Sequence, residues 1–168
     1  MAGYGAAPVG NPVLAHIRAK KAGIYPFKLY PVLWKSAELT AYYSSRTWQS
    51  VKFTDPGPDL PKISVIYMFV IAPYCGGIKD HSYIFYVGKT KDLRRRYSEY
   101  LLEKAGKGTN PRDEIVHFLN EFDGYTYLHY TAIPEQELPA AEALLKDNLT
   151  PVANTEIDLE GKLVAPNS

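Results

Sequence analysis

The chain has 168 residues, of which 46% are hydrophobic and 22% are charged, with a formal net charge of +1 at pH 7. This composition is typical of a globular protein with one core, and any nucleic-acid surface has to be a local patch because the net charge is so small. The single cysteine excludes an internal disulfide and a cysteine-rich zinc site, and it favours an intracellular, cytoplasmic protein. We see no signal peptide and no apolar run long enough to span a bilayer, so no membrane partner is expected.

Residues 1–61 are expected to form an N-terminal tail and an accessory arm. Their pattern predicts helices near residues 14–21 and 31–43 and a short strand at residues 47–53. Basic residues alternate here with tyrosine and tryptophan, which suits contact with nucleic acid and equally suits packing on the core. The turn at Asp55–Pro58 is the best candidate for a domain boundary. The division predicted from these signals is an arm at residues 1–61, a domain at 62–155 and a tail at 156–168.

The segment from residue 62 to residue 155 alternates between strand and helix patterns. Its first apolar run is hydrophobic on both faces, as in a central strand, and the turn that follows at residues 73–82 returns the chain as an antiparallel hairpin. Asp92 is a good N-cap, and Pro139 is tolerated because it lies in the first turn of the last helix. The predicted strands are residues 63–72, 83–87 and 125–133, and the predicted helices are residues 93–105, 111–123 and 135–149.

The helix after Asp92 carries the basic cluster of the chain. Residues 88–107 hold seven lysines and arginines against three acids, a local charge of +4. Arg96 and Tyr100 are four residues apart and lie beside the inward stripe of this helix. The planar guanidinium of an arginine that points toward the sheet is suited to bind a phosphate. An arginine on a solvated face, with its aliphatic stem on apolar surface and its charge in water, gives the same pattern. The side chains expected to contact nucleic acid are Lys91, Arg94, Arg95 and Lys104.

Glu142 is a carboxylate on an otherwise apolar stripe. It lies four residues after Leu138 and three before Leu145, where a carboxylate needs a partner. A structural ion pair with Arg96 would provide one. A divalent metal held by one carboxylate and several waters would provide another. The sequence leaves both alternatives open.

The order and spacing of these motifs resemble the GIY-YIG nuclease family, and most closely its UvrC-type nuclease domains. The first motif tyrosine matches Tyr67, with valine in place of the first glycine of that motif. The second motif matches Tyr86-Val87-Gly88, and Lys89 follows directly. The family arginine matches Arg96, eight residues after the glycine, and Tyr100 is the tyrosine four residues later. The family glutamate matches Glu142, and the closing Pro-x-x-Asn motif ends at Asn154.

The resemblance implies an α+β fold with a small three-stranded antiparallel sheet flanked by helices. It also implies an endonuclease that hydrolyses DNA phosphodiester bonds with one divalent metal ion, Mg²⁺ or Mn²⁺. Glu142 would anchor the metal, Tyr86 would act as general base on the attacking water, and Arg96 would clamp the phosphate.

The remaining motif positions have supporting roles in the same resemblance. Tyr67 and Tyr100 would orient water or phosphate, Lys89 would place a cation beside Tyr86, and Asn154 would fix the site through hydrogen bonds. The alternative is a nucleic-acid-binding module that keeps the fold without cleavage. The biological role stays open among repair, restriction and mobile elements, as does a protein partner or a homodimer.

Overall fold

The computed structural model of the protein describes residues 31–72, 82–109 and 111–154. The predicted helix at residues 14–21, the turn that begins at residue 73 and the tail after residue 155 lie outside the described residues. No helix in the described ranges has the length and apolar character that a membrane crossing requires. The strands are β1 (Gln49–Lys52), β2 (Val65–Ile71), β3 (Tyr83–Thr90) and β4 (Thr126–Ala132), and the helices are α1 (Pro31–Trp34), α2 (Ala37–Ser44), α3 (Leu93–Lys104), α4 (Asp113–Glu121) and α5 (Leu138–Leu149).

The strands form one antiparallel sheet in the order β1-β4-β2-β3. The predicted α+β class is confirmed, but the prediction of three strands is wrong, because β1 adds a fourth at the edge. Gln49 pairs with Tyr130 of β4, and the Tyr130 hydroxyl donates to the Gln49 side chain at 2.5 Å. The sequence indicated a strand at residues 47–53, but its partner in the sheet lies about 80 residues away in the chain and leaves no local signal.

Residues 54–60 also belong to the packed structure. Phe53 and Leu60 are buried in the core, and the Tyr97 hydroxyl accepts from the Thr54 amide at 2.9 Å and donates to the Thr54 carbonyl at 3.1 Å. Arg94 Nε donates to the Leu60 carbonyl at 2.6 Å. The turn at Asp55–Pro58 is therefore held against α3. The domain boundary between residues 61 and 62 stays a prediction, although residues 49–60 already share the sheet and its core.

Two buried clusters cover the two faces of the sheet. Helices α3 and α4 cover one face, and α2 and α5 cover the other. The inward stripe predicted for α3 consists of Leu93, Tyr97 and Leu101, of which the first two are buried and the third is partly buried. Each large apolar side chain that is fully buried contributes about 1.5–3 kcal/mol. The Asp92 side chain accepts from the Arg95 amide at 2.9 Å, which confirms the predicted N-cap of α3. Helix α5 begins three residues later than predicted, after a 3-10 turn at Glu135–Glu137.

A β-bulge in β3 decides which of its side chains lie under α3. Phe69 pairs with Tyr86 and Val70 pairs with Ile84, so Phe85 is an extra residue in β3. Phe85 and Tyr86 consequently pack on the same face, in the cluster beneath α3 and α4. The residue after Tyr86 packs on the opposite face, beneath α5. From Tyr86 onward the strand alternates again, so Gly88 faces α3 with Tyr86, and Lys89 faces α5.

Candidate active site

Three tyrosines meet beneath α3. Tyr67 comes from β2, Tyr86 from β3 and Tyr100 from α3, and their ring centroids lie 6.2–6.5 Å apart. The hydroxyl oxygens of Tyr67 and Tyr100 are 2.8 Å apart. Each of these two residues is only 1% exposed, whereas Tyr86 is half-buried. Tyr86 is thus the phenol of the three that solvent and substrate can reach.

Gly88 makes this arrangement possible. It pairs with Tyr67 across the hairpin. A Cβ atom at position 88 would lie 2.5 Å from Tyr67 Oη and 2.7 Å from Tyr86 Cε1, which is closer than atoms in contact can approach. The two phenol rings therefore occupy the space that a side chain at position 88 would need.

Burial controls the protonation of the two inner phenols. It raises the pKa of Tyr67 and of Tyr100 well above the usual phenol value. The positive charge of Arg96 acts in the opposite direction on Tyr67, and that of Arg112 does so on both phenols, but these effects are smaller than the burial effect. Both phenols are therefore neutral at physiological pH and serve as hydrogen-bonding groups.

Arg96 pairs with an acid of its own helix. Its Nη1 lies 2.8 Å from Glu99 Oε2, and its side chain is 27% exposed. Its Nε is buried and has no hydrogen-bond acceptor among the described residues. Because the side chain is partly exposed, the guanidinium can donate to an incoming anionic oxygen in exchange for Glu99. The Arg96–Glu142 ion pair considered as an alternative does not form, since Glu142 has other partners.

Glu142 is held by two lysines. Lys89 Nζ lies 2.7 Å from Oε2, Lys146 Nζ lies 3.0 Å from Oε1, and the Glu142 side chain is 17% exposed. Burial raises the pKa of Glu142, but the hydrogen bonds and charges of the two lysines outweigh this effect and lower the pKa below its ordinary value. Glu142 is therefore a carboxylate at neutral pH. Lys89 pairs with Ile66, whose side chain packs beneath α5, so Lys89 and Glu142 lie on the face of the sheet opposite the phenol cluster.

Glu142 offers a hydrated hard cation one carboxylate, both oxygens of which are held by lysine ammonium groups in this structure. In the described part of the chain, no three His, Cys, Asp or Glu side chains converge to form a cage made of protein ligands alone. A lone carboxylate suits Mg²⁺, which keeps several waters and takes one or two carboxylate ligands. A cation at Oε2 would displace the Lys89 ammonium, and that side chain is 38% exposed and has solvent to move into.

Asn154 closes the edge of the sheet beside Tyr86. Its Oδ1 accepts from the Val87 amide at 2.7 Å, and its Nδ2 donates to the Val87 carbonyl at 2.9 Å. The side-chain amide thus pairs with β3 as the backbone of a neighbouring strand would. This pairing fixes the strand between Tyr86 and Gly88.

The four basic residues predicted to contact nucleic acid all pair with acids. Exposed fractions are 72% for Lys91, 61% for Arg95 and 48% for Arg94, whereas Lys104 is 20% exposed near the end of α3. Exposed ion pairs of this kind contribute little stability and can exchange an acid for a phosphate. Arg94 differs because it also holds the Leu60 carbonyl. The ion pairs are Lys91–Glu135, Arg94–Asp59, Arg95–Glu99 and Lys104–Asp123.

Several residues that contact the candidate site are absent from the sequence prediction. Lys146 and Glu99 could have been found, because they lie four and three residues after Glu142 and Arg96 on the same helices. Arg112 could not, because it lies just before α4, which begins two residues later than predicted, and its contact with Tyr100, twelve residues earlier, leaves no local signal. Its Nη1 donates to the Tyr100 hydroxyl at 3.2 Å.

The chain belongs to the GIY-YIG family of nucleases. The family model, described as the GIY-YIG catalytic domain, matches residues 65–156, which is more than half of the chain. This range contains all seven predicted catalytic residues. The chain is therefore an enzyme of the nuclease class.

Among solved structures, the chain is similar to the GIY-YIG N-terminal endonuclease domain of UvrC from Thermotoga maritima. Two point mutants of that domain, each bound to its catalytic divalent cation, are 22% identical to this chain with a TM-score of 0.38. The matches cover 56% and 57% of this chain and 85% and 87% of those domains. No curated protein matches the sequence.

Proposed function

We propose that this protein is a divalent-metal-dependent endonuclease that hydrolyses phosphodiester bonds in DNA. The observation that carries the proposal is that the strand presenting Tyr86 also presents Lys89 to Glu142, at 2.7 Å. Tyr86 and Lys89 are three residues apart on the edge strand β3, with Tyr86 on the face beneath α3 and Lys89 beside Glu142 on the face beneath α5. Family membership supports the same activity.

Each side chain then has a role that follows from its surroundings. Tyr86 Oη, the reachable phenol oxygen, takes the proton of the attacking water. Arg96 binds a nonbridging phosphate oxygen through its guanidinium, whose Nη1 exchanges Glu99 for the phosphate. Lys89, once it leaves Glu142, can pair with the phosphate in its turn. Glu142 would hold the metal, which supplies charge stabilisation for the phosphate and the leaving oxygen.

The other motif residues support the site from within. Tyr67 and Tyr100 are buried and hydrogen-bonded to each other, so they act on the position of Tyr86 through packing. Asn154 holds the strand through both polar groups of Val87. Lys91, Arg94, Arg95 and Lys104 extend the positive surface along α3, where phosphates could exchange with their acidic partners.

The test is a plasmid-nicking assay with Mg²⁺ or Mn²⁺, with EDTA as the metal-free control. Glu142→Gln should slow cleavage on the order of 10²-fold or more, because it removes the charged metal ligand. Glu137→Gln is the matched control, since Glu137 also forms an ion pair, with Arg46 at 3.3 Å, but lies outside the motif positions. This control should cleave like the wild type.

Two results would contradict the proposal. If cleavage continues unchanged in EDTA or in Glu142→Gln, the metal role of Glu142 is wrong. If the wild type and Glu142→Gln both shift DNA in a gel and neither cleaves it, the protein is a nucleic-acid-binding module.

A further inference from the structure

Arg112 contacts the phenol cluster from outside the matched motifs. It directly precedes α4, and its Nη1 donates to Tyr100 Oη at 3.2 Å. Its guanidinium carbon lies 4.2 Å from the centre of the Tyr100 ring. Because Tyr100 Oη is 2.8 Å from Tyr67 Oη, the three side chains form a continuous chain of hydrogen bonds.

Glu103 fixes the plane of this guanidinium. Arg112 Nη2 donates to Glu103 Oε1 at 2.5 Å and Arg112 Nε donates to Oε2 at 3.2 Å, a two-point contact that leaves Nη1 for Tyr100. Glu103 is 8% exposed, and Gly108 lies against the stem of its side chain, where an added Cβ would be 2.6 Å from Glu103 Cγ. A buried carboxylate in this position is stable only with such a partner.

The contact between Arg112 and Tyr100 has a fixed direction. A guanidinium can only donate, so the Tyr100 oxygen accepts from Arg112. This bond and the 2.8 Å contact with Tyr67 Oη, in which either hydroxyl can donate, together restrict the orientation of the Tyr100 hydroxyl. Tyr67 Oη also lies close to Gly88, since an added Cβ there would be 2.5 Å from it.

We propose that Arg112 is a positioning residue of the nuclease, which orients the hydroxyl groups of Tyr100 and Tyr67 and through them the Tyr86 ring, while Glu103 holds Arg112 in place. This inference rests on the proposed nuclease function. Arg112 acts through Tyr100 and needs no contact with DNA, so its loss should affect the rate of cleavage and leave DNA affinity unchanged.

The test compares Arg112→Met with Arg46→Met in the full chain. Arg46 is a close match, since its guanidinium lies 3.8 Å from the centre of the Tyr42 ring and it also pairs with a glutamate, yet it has no contact with the phenol cluster. Single-turnover nicking with Mg²⁺ should be about 10–100-fold slower in Arg112→Met, as for other residues that orient catalytic groups. Arg46→Met should cleave like the wild type, and both should bind DNA with Ca²⁺ as the wild type does.

A double-mutant cycle with Tyr100→Phe separates positioning from a general loss of packing. If Arg112 acts through the Tyr100 hydroxyl, Arg112→Met causes no further loss of rate in the Tyr100→Phe background. If Arg112 only stabilises the fold, the two losses multiply. A second readout independent of cleavage is the NMR signal of the hydroxyl proton between Tyr100 and Tyr67, which should shift in Arg112→Met and stay in place in Arg46→Met. This signal decides the question if Tyr100→Phe is too slow to measure.

The outcomes separate this inference from the proposed function. If the wild type cleaves DNA, three results overturn the positioning role and leave the nuclease function intact. They are a wild-type rate in Arg112→Met, rate losses of Arg112→Met and Tyr100→Phe that multiply in the double variant, and an unshifted hydroxyl signal. A wild type that cleaves no DNA with Mg²⁺ or Mn²⁺ overturns the nuclease function and the inference with it.

Discussion

A methyl group at position 88 has no room in the candidate active site. In Gly88→Ala the new Cβ would lie 2.5 Å from Tyr67 Oη, 2.6 Å from Tyr67 Cζ and 2.7 Å from Tyr86 Cε1. Tyr67 is 1% exposed and cannot move away, so the strain falls on both phenols and on the β2–β3 pairing. Overpacking of this kind costs about 1–3 kcal/mol. For a protein of this length, that lowers Tm by roughly 2–12 °C.

The effect on catalysis should exceed the effect on stability. A displacement of Tyr86 by about 1 Å is expected to slow cleavage on the order of 10²-fold. Gly124→Ala is the matched control, because Gly124 has φ +79° and no atom within 4 Å of an added Cβ. Its cost of about 1–2 kcal/mol comes from the left-handed backbone alone. This variant should lose a similar amount of Tm and still cleave.

The assay is single-turnover nicking at a temperature where both alanine variants are folded by circular dichroism. The reasoning is refuted if Gly88→Ala cleaves as fast as Gly124→Ala, since the phenol positions would then not matter. It is also refuted if Gly88→Ala keeps the wild-type Tm, because the close contacts would then have been relieved without cost.

Three further changes test the support of the site and its charges. Asn154→Ala removes two hydrogen bonds to the β3 backbone, at about 0.5–1.5 kcal/mol each. Urea unfolding should therefore show a loss of about 1–3 kcal/mol, and a change near zero would contradict the assigned contacts. The pKa of Glu142 is lowered in the folded state, so its ionised form stabilises the fold relative to Glu142→Gln. This stabilisation is complete above the ordinary carboxyl pKa of about 4.3 and is lost as the pH falls through the lower pKa of the folded state. Denaturant unfolding should show that the wild type is more stable than Glu142→Gln at neutral pH and that this difference declines below about pH 4. A stability difference that grows on acidification would contradict a lowered pKa of Glu142. Arg95→Ala should leave Tm unchanged and reduce the salt slope of DNA binding by about 1, whereas Arg94→Ala should also lower Tm because the Leu60 carbonyl loses its donor. Equal Tm values for these two variants would count against the assigned role of Arg94.

The helices and strands that carry the motifs follow from local patterns. Local sequence determines three of these features: the N-cap at Asp92, the buried residues Ile115, Phe118 and Leu119 of α4, and the apolar run of β2. Each depends only on residues of the same helix or strand. The bulge at Phe85 has no such signal, because it depends on how β2 and β3 pair. The pairing of β1 with β4 likewise depends on contacts between residues far apart in the chain.

The candidate site shows the same division. Its motif residues could be selected from order and spacing, and their partners on the same helix from helical spacing, but their partners from distant parts of the chain could not. The spacing of α5 put Glu142 on a buried stripe without indicating that Lys89 would reach it from β3. Arg112 approaches Tyr100 only because the chain turns back after α3, and no periodic pattern records that turn. The charges of a site depend on such long-range contacts, and these appear only in the folded structure.

The most direct test of the central claim is a crystal structure of the protein with Mn²⁺ and a DNA duplex that carries a non-hydrolysable phosphate linkage. We predict an anomalous Mn²⁺ peak on the Glu142 carboxylate, with the phosphate within hydrogen-bond distance of Arg96 and Tyr86 and with Lys89 moved off Glu142. A metal bound elsewhere, or a backbone phosphate that contacts none of these side chains, would contradict the account.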